Sequence, residues 1–289
     1  MQADTPSRTA IAVSVLRAVA AHPLRDGVVD PLAVRALPQV PACFVRWCGP
    51  LLRLPGIELL WRYAWVGLAS HVVLRTLRID EAVSDALRGG VRQLVLLGAG
   101  FDTRALRLAA PAGAHTWEID HPDTQAAKAA RMPDSPARYV PVDFLRDDPG
   151  DQLVRAGFNA AAPAVVIWEG VTPYLPTAAT EASLASMARV LAPGSVLLVT
   201  FCLPELTSLV RTQGERAHRV FRRIGEPLLG VQPEAAFHAR LRAAGFEPIT
   251  TDGGREWAAR YGRPVPANII EERLVVATRT AEPSGMIRL

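Results

Sequence analysis

From Val91 onward the chain alternates short, β-branched or leucine-rich runs with helix-like stretches, and this alternation narrows the choice of fold more than any other feature. The predicted strands are Gln93–Leu97, His115–Ile119, Arg138–Val142, Ala164–Trp168 and Val196–Phe201, with two more at Phe246–Thr251 and Arg273–Thr278. Between them the pattern predicts helices over Thr103–Leu108, Asp123–Ala130, Pro149–Ala156, Thr177–Leu191 and Pro233–Ala244. Strands alternating with helices predict a parallel sheet covered on both faces. The unbroken apolar run Leu94-Val95-Leu96-Leu97 suits a strand buried on both sides.

The first 90 residues read differently. They are helical and punctuated by Pro31, Pro38, Pro41, Pro50 and Pro55, with helices expected from Thr5 to about Ala21 and from Glu58 to Leu87. We expect residues 1–90 to form a helical N-terminal addition, and residues 91–289 an α/β domain with an arginine-rich lid inserted at about 203–232. With 289 residues, 21% of them charged, the chain has ordinary globular usage and can bury a substantial core. Thr9–Ala21, the longest early apolar run, is interrupted by Arg17 and is too short to span a membrane. Net charge is a mild +4, and basic residues are spread along the chain, so no nucleic-acid partner is expected. Three cysteines, an odd number, fit a reducing compartment. A soluble cytoplasmic protein is expected.

The chemistry is written at the ends of four successive strands. Leu97-Gly98-Ala99-Gly100-Phe101-Asp102-Thr103-Arg104 follows a buried strand, and its glycines allow a tight turn and close approach of a ligand to the backbone. A dinucleotide fingerprint would carry a third glycine where Thr103 stands. Asp120 ends the next strand, 22 residues after Gly98, where a carboxylate can accept both hydroxyls of a nucleotide ribose. Glu118 is expected to point to the other side of the strand and is the less favoured ligand. Asp143, followed by Phe144, ends the third strand and suits an adenine, the acid accepting from the amino group and the ring covering its face; alone it reads equally well as a cap of the next helix. Glu169 ends the fourth strand and faces the crevice where such sheets bind ligands. The six histidines show no metal-ligand spacing, no Cys-x-x-Cys is present, and there is no Gly-x-Ser-x-Gly elbow, so neither a bound metal nor a serine nucleophile is expected.

These residues together resemble the S-adenosylmethionine-dependent methyltransferases related to leucine carboxyl methyltransferase and to the carboxyl O-methyltransferases of polyketide biosynthesis. The resemblance rests on Ser7-Arg8-Thr9-Ala10, Asp30-Pro31-Leu32-Ala33, Arg75-Thr76 with Ile79-Asp80, Leu97–Arg104, Glu118–Pro122 with Gln125 and Lys128, Val142-Asp143-Phe144, and Glu169–Leu175. It implies a class I methyltransferase, an α/β Rossmann-like fold with a seven-stranded, mostly parallel sheet, an N-terminal helical addition and a lid after the fifth strand. It implies that Arg8 and Arg75 meet the methionine carboxylate of S-adenosylmethionine. Gly98, Ala99 and Gly100 would line its methionine end, Asp120 would hold the ribose, Asp143 and Phe144 the adenine, and Glu169 would stand near the ammonium. Pro173 and the stretch Arg35–Ala69 depart from the family pattern and leave the acceptor open.

The expected activity is methyl transfer to a carboxylate or hydroxyl oxygen of a small, secondary-metabolite acceptor, with Tyr174 orienting it. An NAD-dependent oxidoreductase and a non-catalytic cofactor-binding regulator are the alternatives. In the lid, Arg216, Arg219 and Arg223 recur at helical spacing, with Arg211 and Arg222 nearby; they read either as a solvated face or, with Arg219 foremost, as a lure for an anionic acceptor.

Overall fold

The structure is a computed structural model and describes residues 8–20, 30–48, 57–207, 222, 227–263, 265 and 270–281. The described residues build one seven-stranded sheet in the order β3-β2-β1-β4-β5-β7-β6. Its strands are β1 (Gln93–Leu97), β2 (His115–Asp120), β3 (Arg138–Pro141), β4 (Val165–Trp168), β5 (Val196–Thr207), β6 (Phe246–Gly253) and β7 (Ile270–Arg279). Strands β1 to β5 pair in parallel, and β7 runs antiparallel between β5 and β6. All seven expected strands are present.

Alternation of side chains along each strand sends two apolar sets to two helical layers. Val95, Leu97, Trp117 and Ile119 pack with Leu153 of α6 (Pro149–Arg155), Leu184 and Met187 of α7 (Thr177–Val190), and Phe237 and Leu241 of α8 (Glu234–Ala243). On the opposite face Leu94 and Leu96 meet Leu74, Ile79, Val83 and Leu87 of α4 (Ile57–Arg88), together with Trp257 of α9 (Gly254–Arg260). Three further helices, α1 (Arg8–Ala20), α2 (Ala33–Ala36) and α3 (Gln39–Cys48), share a small apolar cluster of Ala18, Ala33, Leu37, Ala42 and Val45. Helix α5 (Pro122–Ala129) covers β2 and β3.

Three elements differ from expectation. The predicted helix over Thr103–Leu108 is a single π turn, Ala105–Ala109. Strand β5 continues to Thr207, into the span read as lid, because Thr207 still pairs with Ile270 after a register shift beyond Cys202. Helix α9 was not expected; it starts at Gly254 because Glu256 returns its carboxylate to the Gly253 amide at 3.0 Å. No described helix is long and apolar enough to cross a membrane.

The strand order reverses between β1 and β4. Beyond the carboxyl ends of these strands lies the crevice in which doubly wound sheets bind their ligands.

Candidate active site

A cavity of about 550 Å³ occupies that crevice, and the ends of β1, β2 and β4 and the loop after β3 all contribute to it. The size lies within the ~300–1,000 Å³ usual for small-molecule sites.

The first wall is the glycine turn. Gly98 has φ 67 and Gly100 φ 52, both in the left-handed region that disfavours a side chain. A Cβ on Gly98 would stand 2.2 Å from Cγ2 of Val171. The Gly98 and Ala99 amides donate to the Ile119 carbonyl at 2.7 and 3.1 Å, so they are used within the turn and not offered to a ligand. The Gly100 amide donates instead to Oδ2 of Asp120 at 2.5 Å, and the His121 amide donates to Oδ1 at 2.6 Å. Two backbone donors thus fix the Asp120 carboxylate at the cavity edge. Burial pushes its pKa up and these two amides pull it back.

Contrary to expectation Glu118 does not point to the other side of β2: it precedes Asp120 by two residues and so shares its face. It is fully buried, with Lys128 Nζ 2.5 Å from its Oε2, and does not line the cavity.

The mouth is mainly apolar, although the exposed Arg146 also lines it. Phe144, Leu145, Tyr174, Leu175, Pro176 and Leu229 line it, and Leu145 and Leu229 are exposed. Phe144 lies 6.0 Å from Trp168, centroid to centroid. Asp143 lines the crevice, and its Oδ1 accepts from the Leu145 amide at 3.0 Å; it does not cap the next helix, α6, because Asp148 does so by accepting from the Asp151 amide at 2.9 Å. Tyr174 belongs to a 3₁₀ turn, Thr172–Tyr174, whose Pro173 carbonyl accepts from the amides of Leu229 and Gly230 at 2.7 and 2.9 Å. His121 sits on the rim, 3.3 Å from Asp123.

The inner end is charged. Glu169 is nearly enclosed: Arg17 Nη2 donates to its Oε1 at 2.5 Å, Arg75 Nε to the same oxygen at 2.8 Å, and Arg104 Nη1 to its Oε2 at 2.8 Å. Burial pushes the Glu169 pKa up, but the three arginines outweigh it and hold it well below the usual carboxylate range. Arg75 also donates to Glu272 at 2.6 Å, and His71 lies 2.6 Å from the same carboxylate oxygen. Burial raises the Glu272 pKa, and Arg75 and His71 draw it down to about 2. Arg104 is fully buried between Asp80, Asp102 and Glu169.

Sequence reasoning reached Arg75 and Glu169 but missed Arg17, Asp102, His71 and Glu272. A signal existed for Arg17: it is the one charge in an otherwise apolar helical run. The side chain of Arg8 and the whole of Arg211, Arg216, Arg219 and Arg223 lie outside the described residues; Arg222 is described and exposed. His238 pairs with Thr251 of β6 at 2.8 Å. No group of three or more possible metal ligands occurs among the described residues.

The sheet order and a crevice of this kind define a class I, Rossmann-like methyltransferase fold, and the comparisons agree. The leucine carboxyl methyltransferase family model matches residues 10–188. A Mycolicibacterium paratuberculosis protein, provisionally named an S-adenosyl-L-methionine-dependent methyltransferase, is 34% identical over 76% of this chain and 74% of its own length. A Mycobacterium tuberculosis protein with the same provisional name is 30% identical over 93% of this chain and 88% of its own. Among solved structures, one provisionally described as a methyltransferase, from Thermobifida fusca, superposes with a TM-score of 0.61 at 17% identity over 97% of both chains, a likeness of fold. The chain belongs to the leucine carboxyl methyltransferase family of S-adenosylmethionine-dependent methyltransferases.

Proposed function

We propose that the protein transfers a methyl group from S-adenosylmethionine to an oxygen, carboxylate or hydroxyl, of a small secondary-metabolite acceptor in the cytoplasm. The observation that carries the reading is a single crevice with a charged inner end and an apolar mouth, with Asp120 held between them by two amides.

The donor set fits the cofactor. Asp120 presents acceptor oxygens for a ribose diol, and Phe144 with Asp143 suits an adenine. Arg75 suits a carboxylate, while Glu169 and Asp102 offer anionic oxygens to an ammonium. Bound S-adenosylmethionine supplies a methyl group on a good leaving group, open to in-line displacement at carbon. The protein's part is to align the two reactants and keep water away, tasks that suit the apolar mouth. In our reading Tyr174 orients the acceptor, the segment after β5 acts as a lid, and Arg219 draws an anionic acceptor inward. A carboxylate acceptor would need no general base, whereas a hydroxyl would gain from one. A nicotinamide cofactor is not favoured: Thr103, standing in place of the third glycine, commits its hydroxyl to Asp30 at 2.7 Å.

The test is to incubate the protein with methyl-labelled S-adenosylmethionine and candidate acids, phenols and metabolite extracts, followed by mass spectrometry. Label released as methanol by mild alkali identifies a carboxyl ester; alkali-stable label on oxygen identifies an ether. Label found only on nitrogen or carbon would overturn the oxygen assignment. Tight cofactor binding with no turnover on any acceptor would favour the regulatory module.

A further inference from the structure

Arg17 is partnered unlike the other inner arginines. It stands on α1 in the row Ala10, Val13, Ser14, Arg17, spaced as one helix face, and all four residues line the cavity. It is 6% exposed. A guanidinium carries five N–H donors. Among the described residues Arg17 makes one hydrogen bond, to Glu169. Its Nη1 is 3.8 Å from Asp102, beyond hydrogen-bond reach, and its buried Nε has no acceptor. Arg104 also has a buried nitrogen, Nη2, without a partner among the described residues, but it is committed to three carboxylates and does not line the cavity. Arg75 is anchored from behind by Glu272.

Arg17 and Arg75 therefore crowd one oxygen of Glu169, two like charges on a single acceptor atom. A carboxylate entering from the cavity would give each guanidinium an oxygen of its own, and an ammonium entering beside it would meet Glu169 and Asp102. The inner charges that face the cavity, Arg17 and Arg75 against Glu169 and Asp102, already balance, so the natural guest is a zwitterion, which adds no net charge. We propose that Arg17 is a cofactor-binding residue that leaves Glu169 to take the carboxylate at the amino-acid end of S-adenosylmethionine, with α1 as a wall of that subsite. This rests on the cofactor reading above.

The test compares two probes by calorimetry: S-adenosylhomocysteine, which carries the amino-acid end, and 5′-methylthioadenosine, which lacks it and keeps the nucleoside. Loss of charge-assisted bonds in Arg17→Met should weaken S-adenosylhomocysteine roughly 10- to 100-fold, leaving 5′-methylthioadenosine within about threefold, so the preference between the probes collapses. Arg17→Lys keeps the charge, loses the fork and should show a smaller loss of the same selectivity; it serves alone if the methionine variant does not fold. Equal weakening of both probes, or unchanged binding of both, overturns the proposal and leaves Arg17 a structural ion pair. A wild-type protein that binds neither probe would instead overturn the cofactor reading.

Discussion

Replacing Lys128 tests how the ribose side of the site is kept in order. Lys128 is the only lysine among 32 lysines and arginines, and it is 1% exposed. Its ammonium sits 2.5 Å from Glu118, which is itself fully buried and whose other oxygen has no partner among the described residues. Burial pushes the Glu118 pKa up, with Lys128 opposing. The charged and titratable neighbours of this pair are Asp102, Asp120 and Tyr139. Lys128→Met strands a carboxylate in the core, and breaking a buried pair this way destabilises by about 3–5 kcal/mol. For a domain of this size that is a fall in Tm of roughly 6–20 °C. The double variant Glu118→Leu/Lys128→Met removes both charges and should return to within about 1–2 kcal/mol of wild type.

The pH dependence has a definite sign. In the single variant Glu118 escapes by protonating, so its folded pKa rises further above the unfolded value. Such a group contributes stability below the unfolded value and loses it as pH rises through the folded one. The deficit of Lys128→Met should therefore be larger at pH 8 than at pH 5. Urea unfolding of the three proteins at both pH values, followed by circular dichroism, measures this. A single variant within about 1 kcal/mol of wild type, or a double variant as unstable as the single, would refute a charge-compensation role.

Asp120→Ala removes the acceptor that the Gly100 and His121 amides hold in place, and should weaken S-adenosylhomocysteine at least ~10-fold by calorimetry; unchanged binding in a folded variant would sink the ribose assignment. Glu272, with its pKa depressed from 4.5 to about 2, contributes roughly 3 kcal/mol that is present above pH 4.5 and lost as pH falls toward 2. Glu169 and Asp102 act in the same sense, while the raised Glu118 and Asp120 oppose it. Thermal melts from pH 6 to pH 3 should show the fall, and Glu272→Gln should flatten it. Methyl transfer should survive dialysis against a strong chelator; a loss restored by Mg²⁺ would contradict the metal-free reading. Once the acceptor is identified, Arg219→Ala should raise its KM and leave the cofactor Kd nearly unchanged, with added salt mimicking the change.

The sheet was legible in the sequence because its evidence is local. Strands buried on both faces must be apolar throughout, so Gln93–Leu97 stands out, and turn glycines with strand-end acids mark the crevice. Elements that depend on distant partners were not legible. The fifth strand was expected to end at Phe201, yet it continues because β7 offers Ile270 to Thr207. Helix α9 begins on two glycines because the Glu256 carboxylate, not a residue type with helix-starting preference, secures its first turn.

The inner end of the crevice was the least legible part, because its charges become a site only by meeting across the chain. Arg17 finds Glu169 152 positions away, and Arg75 finds Glu272 at 197. Motif reading could assign Glu169 to an ammonium and Arg75 to a carboxylate one at a time. It could not show that, with no guest present, these groups satisfy one another, leaving Arg17 the most under-used donor. Three guanidiniums from α1, α4 and the turn after β1 meet on one carboxylate from β4. No single element forms this subsite, and a guest must displace a preformed partner to enter. Selectivity for the amino-acid end then comes from the difference between two ion-pairing arrangements, so removing one arginine should change which ligand is preferred more than whether the fold stands.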